Sequence, residues 1–135
     1  MSVLARLRSA SKLDVLDLAE EIRAEATTLV WNTNVVPKGW RDIFAKPMCL
    51  LCHKLYNQIR AANRIWSTKE ELVEKRKAKA QEALDTLRDI YDLINYLATT
   101  LPVDWNRFDP LLNLMLKEEG KLKNWKDNTK IVKRK

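Results

Sequence analysis

The string Cys49-Leu-Leu-Cys52-His53 contains the residue types best suited to holding a cofactor. Two cysteines separated by two residues and followed by a histidine match the pattern for covalent haem attachment. The string lies within a helical pattern, however, and places Cys49 and Cys52 on one apolar stripe, where buried cysteines commonly occur. We predict that both cysteines pack in the core. Haem binding through Cys49, Cys52 and His53 is the alternative.

A zinc site on the same residues would need a fourth ligand. The chain has two cysteines and one histidine, so that ligand would have to be an aspartate or a glutamate. We therefore expect no metal ion and no cofactor.

Other catalytic groupings are also missing from the sequence. It contains no glycine-rich phosphate loop and no Gly-x-Ser-x-Gly turn, and a single histidine cannot supply the usual pairs of nucleophile and base. Acidic residues such as Glu82, Asp85 and Asp89 recur at the spacing of a solvated helix face. The sequence predicts a protein that binds rather than catalyses.

Basic residues give the strongest indication of a partner. The chain has 25 Lys and Arg against 18 Asp and Glu, a formal net charge of +7. Such an excess favours a polyanionic partner, with nucleic acid first among them. Arg60 and Arg64 lie one helical turn apart and could form a ridge that contacts phosphates, although a solvated helix face would show the same spacing. The candidate nucleic-acid-binding residues are Lys38, Arg41, Lys46, Arg60, Arg64, Lys121, Lys123 and Lys126.

Three tryptophans lie at predicted helix ends beside basic residues. Trp40, Trp66 and Trp105 could stack on unpaired bases. Large aromatic side chains more often cover the ends of a bundle core, and we favour that role for all three.

Length and composition indicate one all-α domain. A chain of 135 residues suits a single domain, and two glycines and four prolines are too few for a fold of many short strands. The N-terminus lacks the continuous apolar stretch of a secretory signal, and no window approaches the length of a membrane span. We expect a cytoplasmic protein without a membrane partner.

Apolar periodicity predicts four amphipathic helices. The first begins at Leu13 and ends near Trp31, and the second follows from Phe44 with Pro47 in its first turn. Ser67 and Glu70 form a capping-box pattern that opens the third helix, which continues to about Ala98. Asp109 is the predicted N-cap of the fourth.

Four such helices with short connections favour a single-domain bundle of up-down-up-down topology. The predicted organisation is a basic N-terminal segment at 1–12, a four-helix bundle at 13–128 and a basic C-terminal tail at 129–135. The first helix is acidic, whereas the second helix and the C-terminal segment are basic. These complementary faces favour association into a homo-oligomer.

The order of several short strings resembles the accessory variability determinant (Avd) proteins of diversity-generating retroelements, a family of small bacterial four-helix bundles. The matching strings are Pro37-Lys-Gly-Trp-Arg41, Ala62-Asn63, Ala83-Leu-Asp-Thr-Leu-Arg88 and Glu118-Glu-Gly-Lys-Leu-Lys-Asn-Trp125. The chain departs from the family around Gly120, where family members have small residues and a second glycine.

This resemblance implies a non-enzymatic protein that forms a ring-like homopentamer. It further implies binding to the retroelement reverse transcriptase and to template RNA, in support of mutagenic cDNA synthesis. The bundles encoded within intervening sequences of ribosomal RNA genes share the fold and a similar Pro-Lys turn. A structural or adaptor protein of that group is therefore the alternative.

Overall fold

The computed structural model describes the backbone of residues 10–131 and the side chains of residues 15–131. This part of the chain is all-α, as predicted, and contains no strand. Its helices are α1 (Ala10–Trp31), α2 (Arg41–Asn63), α3 (Glu70–Thr100) and α4 (Asp109–Asp127), with short 3-10 turns at Lys38–Trp40 and Trp105–Phe108. Residues 1–9 of the predicted N-terminal segment and residues 132–135 of the predicted tail lie outside the described residues.

The four helices surround one apolar core. Each helix packs on the next along the chain, and α4 also packs on α1, so the bundle has four sides. Between α2 and α3, Phe44 contacts Tyr96, whereas Gln58 contacts Thr86, so these two helices run in opposite directions. The up-down-up-down order of all four helices stays a prediction.

The long third helix follows directly from its sequence. Its 31 residues contain no glycine or proline, and at 1.5 Å per residue it is about 46 Å long. It ends at Thr100. The next residue, Leu101, has extended backbone angles, because it precedes Pro102 and a proline disfavours helical geometry in the residue before it. The first helix begins at Ala10 rather than at Leu13.

The predicted position of Pro47 is wrong. It is the seventh residue of α2 rather than part of the first turn, because the helix begins at Arg41. The 3-10 turn at Lys38–Trp40 leads straight into α2, so the helix starts before the apolar pattern does. A proline at this position has no N–H to offer the carbonyl of Ile43, four residues earlier.

The predicted capping box at Ser67 is also wrong. Helix α3 begins at Glu70, and the preceding Lys69 makes no side-chain capping bond. The hydroxyl of Ser67 instead donates to the main-chain carbonyl of Lys130, at 2.7 Å. A tertiary partner has therefore replaced the local one that the sequence pattern indicated.

The start of α4 differs from the prediction by one residue. Asp109 is the first residue of the helix, and Phe108 occupies the N-cap position. The side chain that caps a backbone N–H nearby is Asp104, which accepts from Asn106 N at 3.0 Å at the start of the 3-10 turn.

Candidate nucleic-acid interface

The eight basic residues predicted to bind nucleic acid lie at two different ends of the bundle. Lys38 precedes α2, Arg41 and Lys46 lie in its first two turns, and Arg60 and Arg64 lie at its other end. Arg41 and Arg60 are separated by 19 residues of helix, or about 28 Å. The other three, Lys121, Lys123 and Lys126, are in the last two turns of α4. The eight residues therefore form two separate groups rather than one cluster.

Direct contacts join the end of α2 to the end of α4. Ser67, in the linker after α2, bonds to Lys130 after α4. The ammonium group of Lys126 donates to Gln81 Oε1 on α3 at 2.7 Å. We call this region, residues 60–79 and 121–131, the basic end.

A buried arginine packs under the same region. The guanidinium of Arg76 lies 4.5 Å from the centre of the Trp125 ring, and burial lowers the pKa of Arg76. A cation above an indole face is attracted by the ring quadrupole. This contact fixes the last turns of α4 against the first turns of α3.

Charge is concentrated at the basic end. Residues 60–79 contain seven basic and three acidic residues, and residues 121–131 contain four basic and one acidic residue. The net charge of these two segments is +7, equal to that of the whole chain. The exposed cations in them are Arg60, Arg64, Lys69, Lys75, Lys121, Lys123 and Lys130.

Some of these cations have partners within the protein. Lys123 lies 3.4 Å from Glu119, one turn earlier on α4. The half-buried Tyr56 ring on α2 is near two guanidinium groups, Arg23 of α1 at 4.6 Å and Arg60 of α2 at 5.7 Å. Exposed contacts of this kind contribute little stability, so the charges remain usable by a partner.

The opposite end is closed by aromatic rings. Phe44 is stacked on Trp40 at 5.9 Å and meets Tyr96 edge-on at 4.9 Å. Trp105 packs on Phe108 at 6.2 Å. We call residues 31–50 and 92–112 the aromatic end.

The aromatic end has no net charge. Residues 31–50 contain three basic and one acidic residue, and residues 92–112 contain one basic and three acidic residues. Lys46 pairs with Asp42 at 2.7 Å, and its hydrogen bond and charge lower the pKa of Asp42. Arg41 lies over the Trp31 ring at 4.8 Å. Two of the three predicted cations at this end, Lys46 and Arg41, therefore already have partners within the protein.

The three tryptophans at helix ends differ in exposure. Trp40 and Trp105 are 37% and 44% exposed and each packs on a buried phenylalanine. Trp66 is 65% exposed, and it lies in the linker at the basic end. The predicted role of covering an end of the core therefore fits Trp40 and Trp105 better than it fits Trp66.

The cysteines are arranged for packing. Cys52 is fully buried in the core, and burial raises its pKa to about 12. Cys49 is half-buried, and its sulfur accepts from Trp31 Nε1 at 3.3 Å. His53 is exposed, because successive helical residues point about 100° apart. Among residues 15–131, no group of His, Cys, Asp or Glu could hold a metal ion.

A polar groove of about 430 Å³ lies between α2 and α3. Thr86 donates to Gln58 Oε1 across it at 2.6 Å. The groove contains three carboxylates and one ammonium group, a balance that disfavours a polyanion. Its lining residues are Lys54, Gln58, Glu82, Asp85, Thr86 and Asp89.

Sequence reasoning missed a buried glutamate. Glu118 is 0% exposed and shares a stripe of α4 with Leu111, Met115 and Leu122. Neither of its carboxylate oxygens has a hydrogen-bond partner. Burial raises the pKa of Glu118 to about 9, and the charge of Lys121 opposes this shift. The spacing of these four residues, four, three and four apart, was the available signal, since it places Glu118 on the apolar face.

Comparison with known proteins finds no matching family model, no matching curated protein and no matching solved structure. Within residues 10–131, none of the helices combines the length and the apolar composition needed to cross a lipid bilayer.

Proposed function

We propose that this protein is a non-enzymatic accessory subunit that binds nucleic acid at its basic end. The observation that carries the proposal is the convergence of two separate basic segments, held together by the bond between Ser67 and Lys130. Residues distant in sequence are thereby brought to one end of the bundle, in two segments whose net charge is +7. A polyanion that binds there releases condensed counterions, which is the main source of sequence-independent affinity for nucleic acids.

The charge distribution supports this end of the molecule over the others. The aromatic end has no net charge, and the groove between α2 and α3 is lined mainly by carboxylates. A phosphate backbone would be repelled from the groove and weakly attracted to the aromatic end.

We extend the proposal, on the resemblance to the Avd family, to a cytoplasmic role beside a retroelement reverse transcriptase. The protein would bring template RNA to that enzyme as a homopentamer. Complementary charge supports self-association, because α1 presents the exposed carboxylates Asp17, Glu20 and Glu21, which can face the basic end of a neighbouring copy.

Paired charge reversals test the proposed surface. Arg60→Glu with Arg64→Glu changes the charge of the basic end by four units. Lys38→Glu with Lys46→Glu makes the same change at the aromatic end and is the matched control. Binding of a labelled RNA is measured by fluorescence anisotropy over a range of salt concentrations.

We expect the first pair to weaken RNA binding and to reduce the slope of log affinity against log salt by about one unit for each lost phosphate contact. The control pair should have a much smaller effect. Equal effects of the two pairs would place the interface elsewhere. Failure of the wild-type protein to retain either RNA or a co-expressed reverse transcriptase would favour the structural or adaptor role.

A further inference from the structure

The linker between α2 and α3 contains both buried and exposed side chains. Arg64, Trp66 and Lys69 are exposed, whereas Ile65 is half-buried and Ser67 is 1% exposed. Residues 65–68 are not helical, and the main-chain N–H of Thr68 donates to the Trp66 carbonyl at 2.9 Å, which makes a tight turn centred on Ser67. Ile65 and Ser67 attach the linker to the bundle. The exposed residues are an indole, Trp66, with a cation on either side of it in the sequence.

The C-terminal segment adds a third cation to this surface. The carbonyl of Lys130 accepts the hydroxyl proton of Ser67 at 2.7 Å. The neighbouring Thr129 is buried, and its hydroxyl donates to the Trp125 carbonyl at 2.8 Å. These bonds hold Lys130 against the linker, while its own side chain is exposed.

We infer that this linker and tail surface binds unpaired nucleotides, with a base stacked on Trp66 and phosphates contacted by Arg64, Lys69 and Lys130. The inference rests on the proposed function and adds to it that the nucleic acid bound here is single-stranded. A single strand can turn a base onto an exposed aromatic ring, whereas bases inside a duplex are already stacked on each other. A surface made only of cations would bind both forms.

The other tryptophans at helix ends are less suited to this task. Trp40 and Trp105 are less exposed than Trp66, and the aromatic end around them has no net charge. At the basic end, an exposed indole and several exposed cations occur together, which is the combination found in single-strand binding surfaces.

The test uses a 12-nucleotide single-stranded RNA without self-complementarity, the DNA strand of the same sequence, and the corresponding RNA duplex. Four full-length proteins are compared: wild type, Trp66→Ala, Trp66→Phe, and Trp105→Ala as the matched control from the aromatic end. Circular dichroism and sedimentation establish that all four retain the same helical content and assembly.

Trp66→Ala should weaken binding of the single strand about tenfold, with little change for the duplex, because one base loses its stacking partner. Trp66→Phe should restore most of the affinity, and Trp105→Ala should have no effect. The salt slope should be the same in all four proteins, because none of these changes removes a charge. Comparison of the RNA and DNA strands shows whether the surface also contacts the 2′-hydroxyl.

Two results would overturn this inference while leaving the proposed function intact. One is an equal loss for single strand and duplex in Trp66→Ala. The other is unchanged RNA binding in Trp66→Ala combined with a lost interaction with reverse transcriptase, which would assign the surface to a protein partner. If the Arg60→Glu and Arg64→Glu protein binds RNA as well as wild type, the proposed basic interface itself is wrong, whatever Trp66 does.

Discussion

The two ends of the bundle are closed by different kinds of contact. At the aromatic end, Phe44 is buried between Trp40 and Tyr96, and the charges of the surrounding segments cancel. At the basic end, polar bonds such as Ser67 to Lys130 and Lys126 to Gln81 hold the elements together. Packing of aromatic rings removes apolar area from water without placing charge at the surface. The hydrogen bonds at the basic end leave many cations exposed to solvent.

This difference suggests that the aromatic end contributes mainly to stability and the basic end mainly to binding. Burial of large aromatic side chains contributes most of what a bundle end can add to folding. Single polar bonds near the surface contribute less, so the basic end can tolerate substitutions that alter its charge. We therefore expect changes at the aromatic end to reduce stability and changes at the basic end to reduce binding.

The largest effect is expected for Phe44→Ala. Phe44 is fully buried and contacts two other rings, so its removal leaves a cavity and should lower the free energy of unfolding by about 3 to 5 kcal/mol. Urea denaturation measures this. Trp66→Ala, which removes a ring from the basic end, is the comparison and should cost far less. Similar losses for the two variants would contradict the contrast between the ends.

The next largest effect concerns Glu118, which lies in α4 between the two ends. Its pKa is raised from 4.5 to about 9 in the folded protein. Between these values the folded state holds a proton that the unfolded state has released, so stability falls as pH rises from about 4.5 to about 9. Glu118→Gln removes this dependence.

At pH 7 the Glu118→Gln variant should exceed wild type by roughly 3 kcal/mol, since one pKa unit corresponds to about 1.4 kcal/mol. The difference should be small at pH 5 and larger at pH 8. Denaturation curves at these three values check it. Glu119→Gln, at the neighbouring and less buried position, is the control. A difference that does not change with pH would mean that Glu118 is not buried as a neutral acid.

An intermediate effect, on binding, is expected from deletion of residues 130–135. The deletion removes four basic residues, Lys130, Lys133, Arg134 and Lys135. Affinity should fall for all nucleic-acid sequences alike, and the salt slope should decrease, because phosphate contacts carry no sequence information. Anisotropy titrations with two unrelated RNA sequences test this. A loss confined to one sequence would show that the tail takes part in base recognition.

The smallest effect is expected for Ser67→Ala. Loss of its bond to Lys130 leaves a carbonyl without that partner and should lower the free energy of unfolding by about 1 kcal/mol. Trypsin should also cleave after Lys130 faster than in wild type. Thr99→Ala, which removes a hydroxyl bonded only within its own helix, is the control. An unchanged cleavage rate would show that Ser67 does not hold the tail.

Long periodic patterns could be interpreted from the sequence, and short local ones could not. Helix α3 was predictable because 31 residues of amphipathic sequence without glycine or proline have few alternatives. The capping pattern at Ser67 failed because its hydroxyl found a partner 63 residues away. Such a partner is invisible to any rule about neighbouring residues.

The candidate site was predictable as a set of residue types but not as a place. Composition alone indicated a polyanion partner, and spacing alone indicated that Arg60 and Arg64 share a helix face. The predicted second helix already separated Lys38, Arg41 and Lys46 from Arg60 and Arg64. The sequence did not show that the segment after α4 lies against the linker that follows Arg64. Trp66 was indistinguishable from Trp40 and Trp105 until their exposed fractions were known.

The sequence by itself determined the all-α class, the approximate extent of the helices and the excess of positive charge, because each depends on composition or on a repeat within one element. The tertiary structure decided which cations share a surface, which tryptophan is most exposed and which glutamate is buried. These features depend on contacts between residues far apart in the chain, such as Ser67 with Lys130. Such contacts exist only once the helices have packed, because desolvation and hydrogen bonding depend on every element that surrounds a group.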